Sequence, residues 1–235
     1  MASSFQASDF FAALDARIAR YDLLQHPYYQ AWSKGELTRD DLREYASEYW
    51  HHVSAFPTYL SAFHARLADA PLRRTVLENL ADEEGLPAGR PHSDLWMDFA
   101  EGMGADASAV RSRTLQPETA SLISHFRYAM EASPAAALAS LYTYESRVPA
   151  IARTKANGLR EHYAASEAVA RYFTLHQTAD VYHAKVWRDA IESELTTHPE
   201  EAEGALDAAE AAAADLWNTL SGIERERQRS HSAAA

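Results

Sequence analysis

The sequence contains no cysteine and little glycine or proline, and each shortage narrows what the protein can be. Without thiols, it cannot form disulfides, thiolate zinc sites or iron–sulfur clusters, and it cannot use a cysteine nucleophile. Only 8 glycines and 9 prolines among 235 residues argue against a β protein rich in turns. Any bound metal must therefore take oxygen or nitrogen ligands from carboxylates, histidines or tyrosines.

Basic residues and long apolar runs are also scarce. The 22 lysines and arginines face 34 aspartates and glutamates, which gives a net charge of −12 and a pI near 5.3. Such an acidic chain is poorly suited to binding nucleic acid or anionic membranes. No segment approaches the roughly 20 apolar residues of a membrane span, and residues 1–11 show no signal-peptide pattern. We expect a cytoplasmic protein with no nucleic-acid or membrane partner.

Apolar residues, which make up 47% of the chain, recur at helical spacing through most of it. The pattern predicts an all-α protein without a convincing strand, repeat or interdomain linker. Its longest predicted helices span 39–67, 134–156, 166–195 and 199–227. We therefore predict a single helical bundle of about seven helices over residues 1–229, followed by a disordered tail at 230–235.

The predicted helix over 166–195 carries a histidine–carboxylate pattern. His176, Asp180 and His183 occupy positions i, i+4 and i+7, which lie on one face of a continuous helix. Their neighbours on that stripe are apolar or aromatic, which indicates an inward face. Burying a charge is costly unless it is paired or coordinates a metal. A metal site and a surface histidine–aspartate pair are both consistent with this spacing.

Two other segments could provide further ligands. The acidic run Asp82-Glu83-Glu84 ends one predicted helix, where it opposes the helix dipole, and His92 follows after a break. Glu145 lies in an otherwise apolar helix, where an unpaired carboxylate would be costly. A solvated helix end and a surface pair of Glu145 with Arg147 or Arg153 are the alternatives. Together the three segments could supply a di-metal site in a helical bundle, with donors suited to iron or manganese.

Several short stretches between His26 and Trp217 form a characteristic series. They are His26-Pro27-Tyr28-Tyr29, Trp32-Ser33-Lys34-Gly35-Glu36-Leu37, Ala55-Phe56-Pro57, Asp82-Glu83-Glu84, His92 with Asp94-Leu95-Trp96, Tyr144-Glu145-Ser146, Pro149 with Ile151-Ala152-Arg153 and Lys155, and His176 with Ala179-Asp180-Val181 and His183-Ala184. On these stretches the chain resembles the haem-oxygenase-like di-metal oxidases. Within that family it is similar to the self-sacrificing para-aminobenzoate synthases, a group that includes the chlamydial protein associating with death domains.

The resemblance implies a haem-oxygenase-like fold and a metal centre. The family's ligands fall at Glu83, His92, Glu145, His176, Asp180 and His183. They would hold two metal ions, Fe/Fe or Fe/Mn, with molecular oxygen as co-substrate and an external reductant as partner. The segment before His92 looks longer than in the family, with Leu86 to Arg90 as the extra residues, so Glu84 is an alternative to Glu83. A homodimer is the default expectation.

The resemblance also implies an unusual reaction, in which the enzyme makes para-aminobenzoate for folate synthesis from its own tyrosine. The matching positions are Tyr29 as the consumed tyrosine, Lys155 as the amine donor and Tyr144 as a redox-active tyrosine. A lysine attacks only when neutral, and burial lowers its pKa. In a continuous helix, Lys155 would lie about three turns after Glu145, on roughly the same side.

Two other functions stay open at this point. Related di-metal oxidases act on an external small amine, amino acid or fatty acid, and such an enzyme needs neither Tyr29 nor Lys155. The same helical fold also hosts TenA-like hydrolases and binding proteins, which have no need of six converging ligands.

Overall fold

The structure is a computed structural model that describes residues 5–234, including the side chains of residues 5–233. Within residues 5–234, all of the regular secondary structure is helical, and there is no strand. The prediction of an all-α bundle is confirmed. The predicted count of about seven helices is roughly right, since some of the observed segments are short and others arise where a predicted helix breaks.

The α-helices are α1 (Ala7–Ala19), α2 (Pro27–Ser33), α3 (Arg39–Arg66), α4 (Ala70–Glu83), α5 (His92–Gly102), α6 (Ala107–Arg111), α7 (Pro117–Glu131), α8 (Pro134–Glu145), α9 (Val148–Tyr163), α10 (Glu167–His176), α11 (Ala179–Thr197) and α12 (Ala202–Ala234). Two short 3₁₀ turns span Leu23–Gln25 and Pro199–Glu201. None of the described helices is long and apolar enough to cross a membrane.

Helix α8 lies at the centre of the bundle because its sequence is apolar on every side. Residues 135–143 are all buried, and the helix packs against α7, α11 and α12. A helix that is hydrophobic all round must be covered all round. The hydroxyls of Ser140 and Thr143 donate to backbone carbonyls within the helix, so they are satisfied in the core. Glu145, the last residue of α8, is therefore held in the interior.

The helix predicted over 134–156 divides after Glu145 into α8 and α9. Pro149 is the second residue of α9, and it has no N–H to donate to the carbonyl of Glu145. The prediction of one continuous helix is wrong here, and so is the argument that placed Lys155 and Glu145 on the same helix. Lys155 lies on α9, and its side chain packs in a different part of the core from that of Glu145.

The helix predicted over 166–195 divides as well, between α10 and α11. The break falls at Gln177 and Thr178, where the Thr178 hydroxyl donates to the carbonyl of Leu175 at 3.2 Å. Such a local side-chain bond offers the backbone an alternative to the helical pattern. His176 therefore ends one helix, and Asp180 begins the next.

The end of the chain also differs from the prediction. The predicted disordered tail at 230–235 is instead helical as far as Ala234, and Ala235 lies outside the described residues. The ring of His231 donates from Nε2 to Oδ1 of Asp41 at 2.9 Å, which ties the last turns of α12 to α3. Residues 224–229 are all glutamate, arginine or glutamine, which favour continuing the helix up to this contact.

Candidate metal centre

The structure brings all six predicted ligands together in the core as two neighbouring groups. Glu83, His92 and His176 form the first triad, and Glu145, Asp180 and His183 form the second. Within each triad, one ligand atom of every residue lies within 4.8 Å of the others. All six side chains are at most 6% exposed. Separate helices thus deliver three carboxylates and three imidazoles to one buried region.

Most of these ligands lie at a helix end, and this explains how they are divided. Glu83 ends α4, His92 begins α5, Glu145 ends α8 and His176 ends α10. The prediction that His176, Asp180 and His183 share one helical face is wrong. Because the helix breaks after His176, this histidine belongs to the first triad. Asp180 and His183 lie together on α11 and belong to the second triad.

The two members of the first triad on either side of the loop before His92, Glu83 and His92, are in direct contact. Oε2 of Glu83 lies 2.9 Å from Nδ1 of His92, and the rings of His92 and His176 are 4.6 Å apart. Glu84 is exposed and lies outside both triads. The loop turns sharply at Gly85, which has φ +70°, and a Cβ there would lie 2.3 Å from the carbonyl carbon of Arg90. Residues 86–90 therefore fold back towards Gly85, outside the centre.

In the second triad, Glu145 accepts hydrogen bonds from neighbouring side chains, whereas two other ligand atoms have no hydrogen-bond partner among the described residues. Asn79 donates to both oxygens of Glu145, at 3.1 and 3.3 Å, and the Trp187 indole donates to Oε2 at 2.6 Å. Nδ1 of His183 lies 3.5 Å from Oδ1 of Asp180 and 3.8 Å from Oε2 of Glu145. Nδ1 of His183 and Oδ2 of Asp180 are buried without a hydrogen-bond partner in the described residues.

These donors fit a pair of divalent cations. With neutral imidazoles, the six side chains carry three negative charges in a region that excludes water. Uncompensated buried charge is costly, whereas a metal ion gives each unpartnered atom a bond. Carboxylate and imidazole ligands suit iron and manganese. The residues present thus satisfy the chemistry of a di-metal centre.

Without a metal, the pKa values of two residues in the second triad are raised. Burial, assisted by the charge of Asp180, raises the pKa of Glu145 to about 8. Burial acts to lower the pKa of His183, but contact with Asp180 and the charge of Glu145 outweigh it and raise that pKa to about 9. Near neutral pH, the metal-free second triad therefore binds more protons than its side chains would bind in water.

Metal binding near pH 7 is accordingly expected to release protons, because both residues must lose theirs to act as ligands. Both pKa values lie above neutrality, so the apparent metal affinity should rise as the pH increases towards about 9. Calorimetric titration with Mn²⁺ in two buffers of different ionisation enthalpy measures the number of protons released. A heat that is independent of the buffer would contradict this protonation of the second triad.

The three residues predicted to take part in the reaction surround a cavity beside the first triad. The cavity has a volume of about 40 Å³ and is lined by Tyr29, Tyr49, Trp96, Tyr144, Lys155 and Tyr172, among others. Tyr172 connects it to the metal centre, since its ring stacks on that of His176 with centroids 4.1 Å apart. The hydroxyl of Tyr144 lies close to those of Tyr172 and Tyr49. Tyr144 therefore lies between the metal centre and the rest of the cavity.

Lys155 lies inside a cage of aromatic rings. Its side chain is buried, and six ring centroids lie within 5.8 Å of Nζ: Tyr29, Trp32, Tyr45, Tyr49, Trp96 and Phe173. Among the described residues, no carboxylate forms an ion pair with it, and its Nζ donates to the hydroxyl of Tyr45. Burial lowers the pKa of Lys155 well below its ordinary value. The cage therefore favours the neutral, nucleophilic amine.

Four contributors to the site were not predicted: Tyr45, Asn79, Tyr172 and Trp187. Tyr45 hydrogen-bonds to both Lys155 and Tyr29, with the two phenol oxygens 3.2 Å apart. A signal for it was present, because Tyr45, Tyr49 and His52 follow helical spacing on the buried face of α3. Nothing in the local sequence distinguishes Asn79 or Trp187 from ordinary core residues.

Comparison with known proteins identifies the family. The family of iron-containing redox enzymes matches residues 43–217, a stretch that includes all six candidate ligands. The chain belongs to this family. A 4-aminobenzoate synthase of Chlamydia pneumoniae is 37% identical over 210 residues, which cover 88% of this chain and 92% of the relative. Another from Nitrosomonas europaea is 38% identical over 226 residues, 91% of this chain and 90% of the relative.

Solved structures confirm the fold. A domain of unknown function with a haem-oxygenase-like fold from Shewanella denitrificans superposes with a TM-score of 0.81 at 15% identity, covering 98% of this chain and 97% of that one. A TenA homologue from Pseudomonas syringae gives 0.76 at 16% identity, covering 96% and 98%. At these identities the likeness shows the fold alone. Family and relatives together make the chain an oxidoreductase, and the two triads support a di-metal site.

Proposed function

We propose that this protein is an oxygen-dependent di-metal oxidase that makes para-aminobenzoate, the 4-aminobenzoate of its relatives' names, from its own Tyr29. In this proposal, Lys155 donates the amine and an external reductant supplies electrons. The two metal positions would take Fe/Fe or Fe/Mn. The relatives named 4-aminobenzoate synthase support the product, and the caged amine beside Tyr29 supports its internal origin.

The observation that carries the proposal is the contact between Lys155 and Tyr29. Nζ lies 4.4 Å from the centroid of the Tyr29 ring, and both side chains are almost fully buried. A buried lysine without a carboxylate partner is costly, and a structural role would be served as well by an apolar side chain. A neutral amine over a phenol ring is instead what an amination step requires.

The product's structure matches what Tyr29 can supply. Para-aminobenzoate has an amine and a carboxyl group at opposite ends of a ring, as tyrosine has a hydroxyl and Cβ. Nζ of Lys155 would take the place of Oη on the ring, with the oxygen leaving as water and the Nζ–Cε bond of Lys155 breaking. Cβ of Tyr29 would become the carboxyl carbon after the Cα–Cβ bond breaks. The exchange of oxygen for nitrogen is redox-neutral, whereas releasing Nζ to leave an aldehyde at Cε and converting Cβ to a carboxyl group are oxidations that consume oxygen, which explains why a di-metal, oxygen-dependent centre would lie next to the cavity.

The chain's own residues have distinct tasks in this reaction. The two metal ions, when bound to the triads, would supply the redox chemistry that reduces oxygen. Tyr144 and Tyr172 are neighbours between the cavity and His176, and the two phenols are suited to moving an electron and a proton. Tyr45 holds the amine of Lys155 and the hydroxyl of Tyr29 through its own hydroxyl. The surrounding aromatic rings exclude water from the amine.

The alternative of an external substrate is less favoured by the cavity. A volume of about 40 Å³ has room for roughly three water-sized molecules, which is too little for a fatty acid beside Tyr29 and Lys155. An ordinary oxygenase would also leave the burial of Lys155 without a purpose. A hydrolase of the TenA type would not need the two triads.

The proposal is tested by supplying the purified protein with iron and manganese without oxygen, then adding a reductant and oxygen but no organic substrate. We expect para-aminobenzoate in the small-molecule fraction, at no more than about one equivalent per chain. Intact-protein mass spectrometry should show a matching loss of mass, and peptide mapping should locate it at residue 29. Loss at residue 45 would identify Tyr45 as the source. Oxygen uptake without product or mass loss would reject the self-sacrificing reaction.

A further inference from the structure

Asp82 lies next to the ligand Glu83 in the sequence but on the outside of the metal centre. Neighbouring residues of a helix point about 100° apart, so the last turn of α4 can direct Glu83 inward while Asp82 faces α11. The Asp82 side chain is 58% exposed, yet its Oδ2 lies 3.2 Å from Nε2 of His183. It is an exposed carboxylate bonded directly to a candidate ligand.

This contact determines which nitrogen of His183 is free to bind a metal. A carboxylate only accepts hydrogen bonds, so Nε2 of His183 must carry the proton. The neutral ring then presents the lone pair of Nδ1 towards Asp180 and Glu145. Nδ1 is the atom that is buried without a hydrogen-bond partner in the described residues.

In the first triad, the imidazole of His176 is oriented in a different way. Nδ1 of His176 lies 2.7 Å from the carbonyl oxygen of Tyr172, so that nitrogen carries the proton and Nε2 faces the triad. The two histidines therefore use opposite ring nitrogens. His176 is oriented by the backbone, which no substitution removes. His183 is oriented by a side chain that can be replaced.

We propose that Asp82 is a positioning residue for the second metal site, where it fixes the tautomer and orientation of His183 and strengthens its Nδ1 as a donor. Outer carboxylate partners of metal-binding histidines commonly contribute 10–100-fold to metal affinity. The inference rests on the proposed metal centre. It assigns to Asp82 an effect on one of the two sites, without contact between Asp82 and the metal.

The test measures Mn²⁺ binding by equilibrium dialysis in the wild type and in Asp82→Ala, Asp82→Asn and Glu84→Ala. Asp82→Ala should weaken one of two binding steps by about 10–100-fold and leave the other unchanged. Asp82→Asn keeps an oxygen that accepts the bond from Nε2, so it should recover part of the loss. Glu84→Ala removes an equal charge from an exposed neighbour whose side chain has no bond in the described residues, and it should change neither step.

The outcomes separate this inference from the proposed function. Two Mn²⁺ ions bound by the wild type, with no change in Asp82→Ala, would overturn the role of Asp82 alone. Equal weakening by Asp82→Ala and Glu84→Ala would also overturn it, because general electrostatics would then explain the effect. A wild-type protein that binds no metal would instead reject the metal centre. Circular dichroism of the metal-free variants checks that they fold. If Asp82→Ala does not fold, the Mn²⁺ affinity of Asp82→Asn is compared with that of the wild type, and an unchanged affinity would overturn the role of Asp82.

Discussion

Lys155→Met is expected to abolish para-aminobenzoate formation, by at least about 100-fold, while both metal sites stay intact. Methionine has similar length and fills the aromatic cage, but it has no amine to transfer. The lysine is buried, its pKa is well below the ordinary value, and no carboxylate pairs with it among the described residues, so its replacement removes no ion pair. We therefore expect the free energy of unfolding to change by no more than about 1 kcal/mol. Product assay, metal analysis and thermal unfolding measure the three quantities.

The matched control is Lys185→Met, which makes the same chemical change on an exposed lysine of α11 paired with Asp189. It should leave product yield and metal content unchanged. If Lys155→Met still forms product at the wild-type level, the amine comes from elsewhere, and the cage around Lys155 needs another explanation. If it loses its metals as well, Lys155 supports the centre structurally and the result does not favour amine donation.

Tyr29→Phe keeps the ring and removes the hydroxyl that the amine would replace. Product should be lost, with oxygen uptake and metal content retained. Tyr45→Phe should slow the reaction, because it breaks the hydrogen bonds to Lys155 and Tyr29. Its loss of mass should still map to residue 29. This difference distinguishes a consumed ring from a ring that only positions its neighbours.

The candidate ligands could be selected from the sequence, because their selection depends on local features. Carboxylates and histidines on apolar stretches are unusual, and helical spacing indicates which of them face inward. The same reasoning could not divide them into two triads. That division depends on where the helices end, and a missing N–H at Pro149 or a hydroxyl bond at Thr178 is a small local effect. The helical spacing of apolar residues in the sequence continued through both helix breaks and therefore did not reveal them.

The environment of Lys155 was still harder to predict. Its cage is built from the consecutive helices α2 and α3 together with α5 and α10, which lie much later in the sequence. No local pattern shows that these aromatic side chains meet around one amine. The resemblance pointed to Lys155 and Tyr29, whereas the role of Tyr45 became visible only from the packing. Local chemistry identified candidates, and tertiary contacts decided which groups act together.

Asp180→Asn is expected to remove one of the two metal ions and to abolish product formation. The amide is nearly the same size but has no charge, and Oδ2 of Asp180 is a buried atom without a hydrogen-bond partner in the described residues. Its loss leaves the second triad with one carboxylate and one imidazole. We expect metal content to fall from two to one, with affinity at the remaining site unchanged. Elemental analysis after dialysis measures this directly.

Thermal unfolding with and without Mn²⁺ provides a second measurement. A metal present at 100 times its dissociation constant stabilises the folded state by about 2.7 kcal/mol per site, so the variant should lose about half of the metal-induced stabilisation. Asp189→Asn is the matched control, since it makes the same change on an exposed residue of α11. A variant that keeps two metals and full stabilisation would show that Asp180 is not a ligand. Because the divided triads place Asp180 with Glu145 rather than with His176, only the second site should respond.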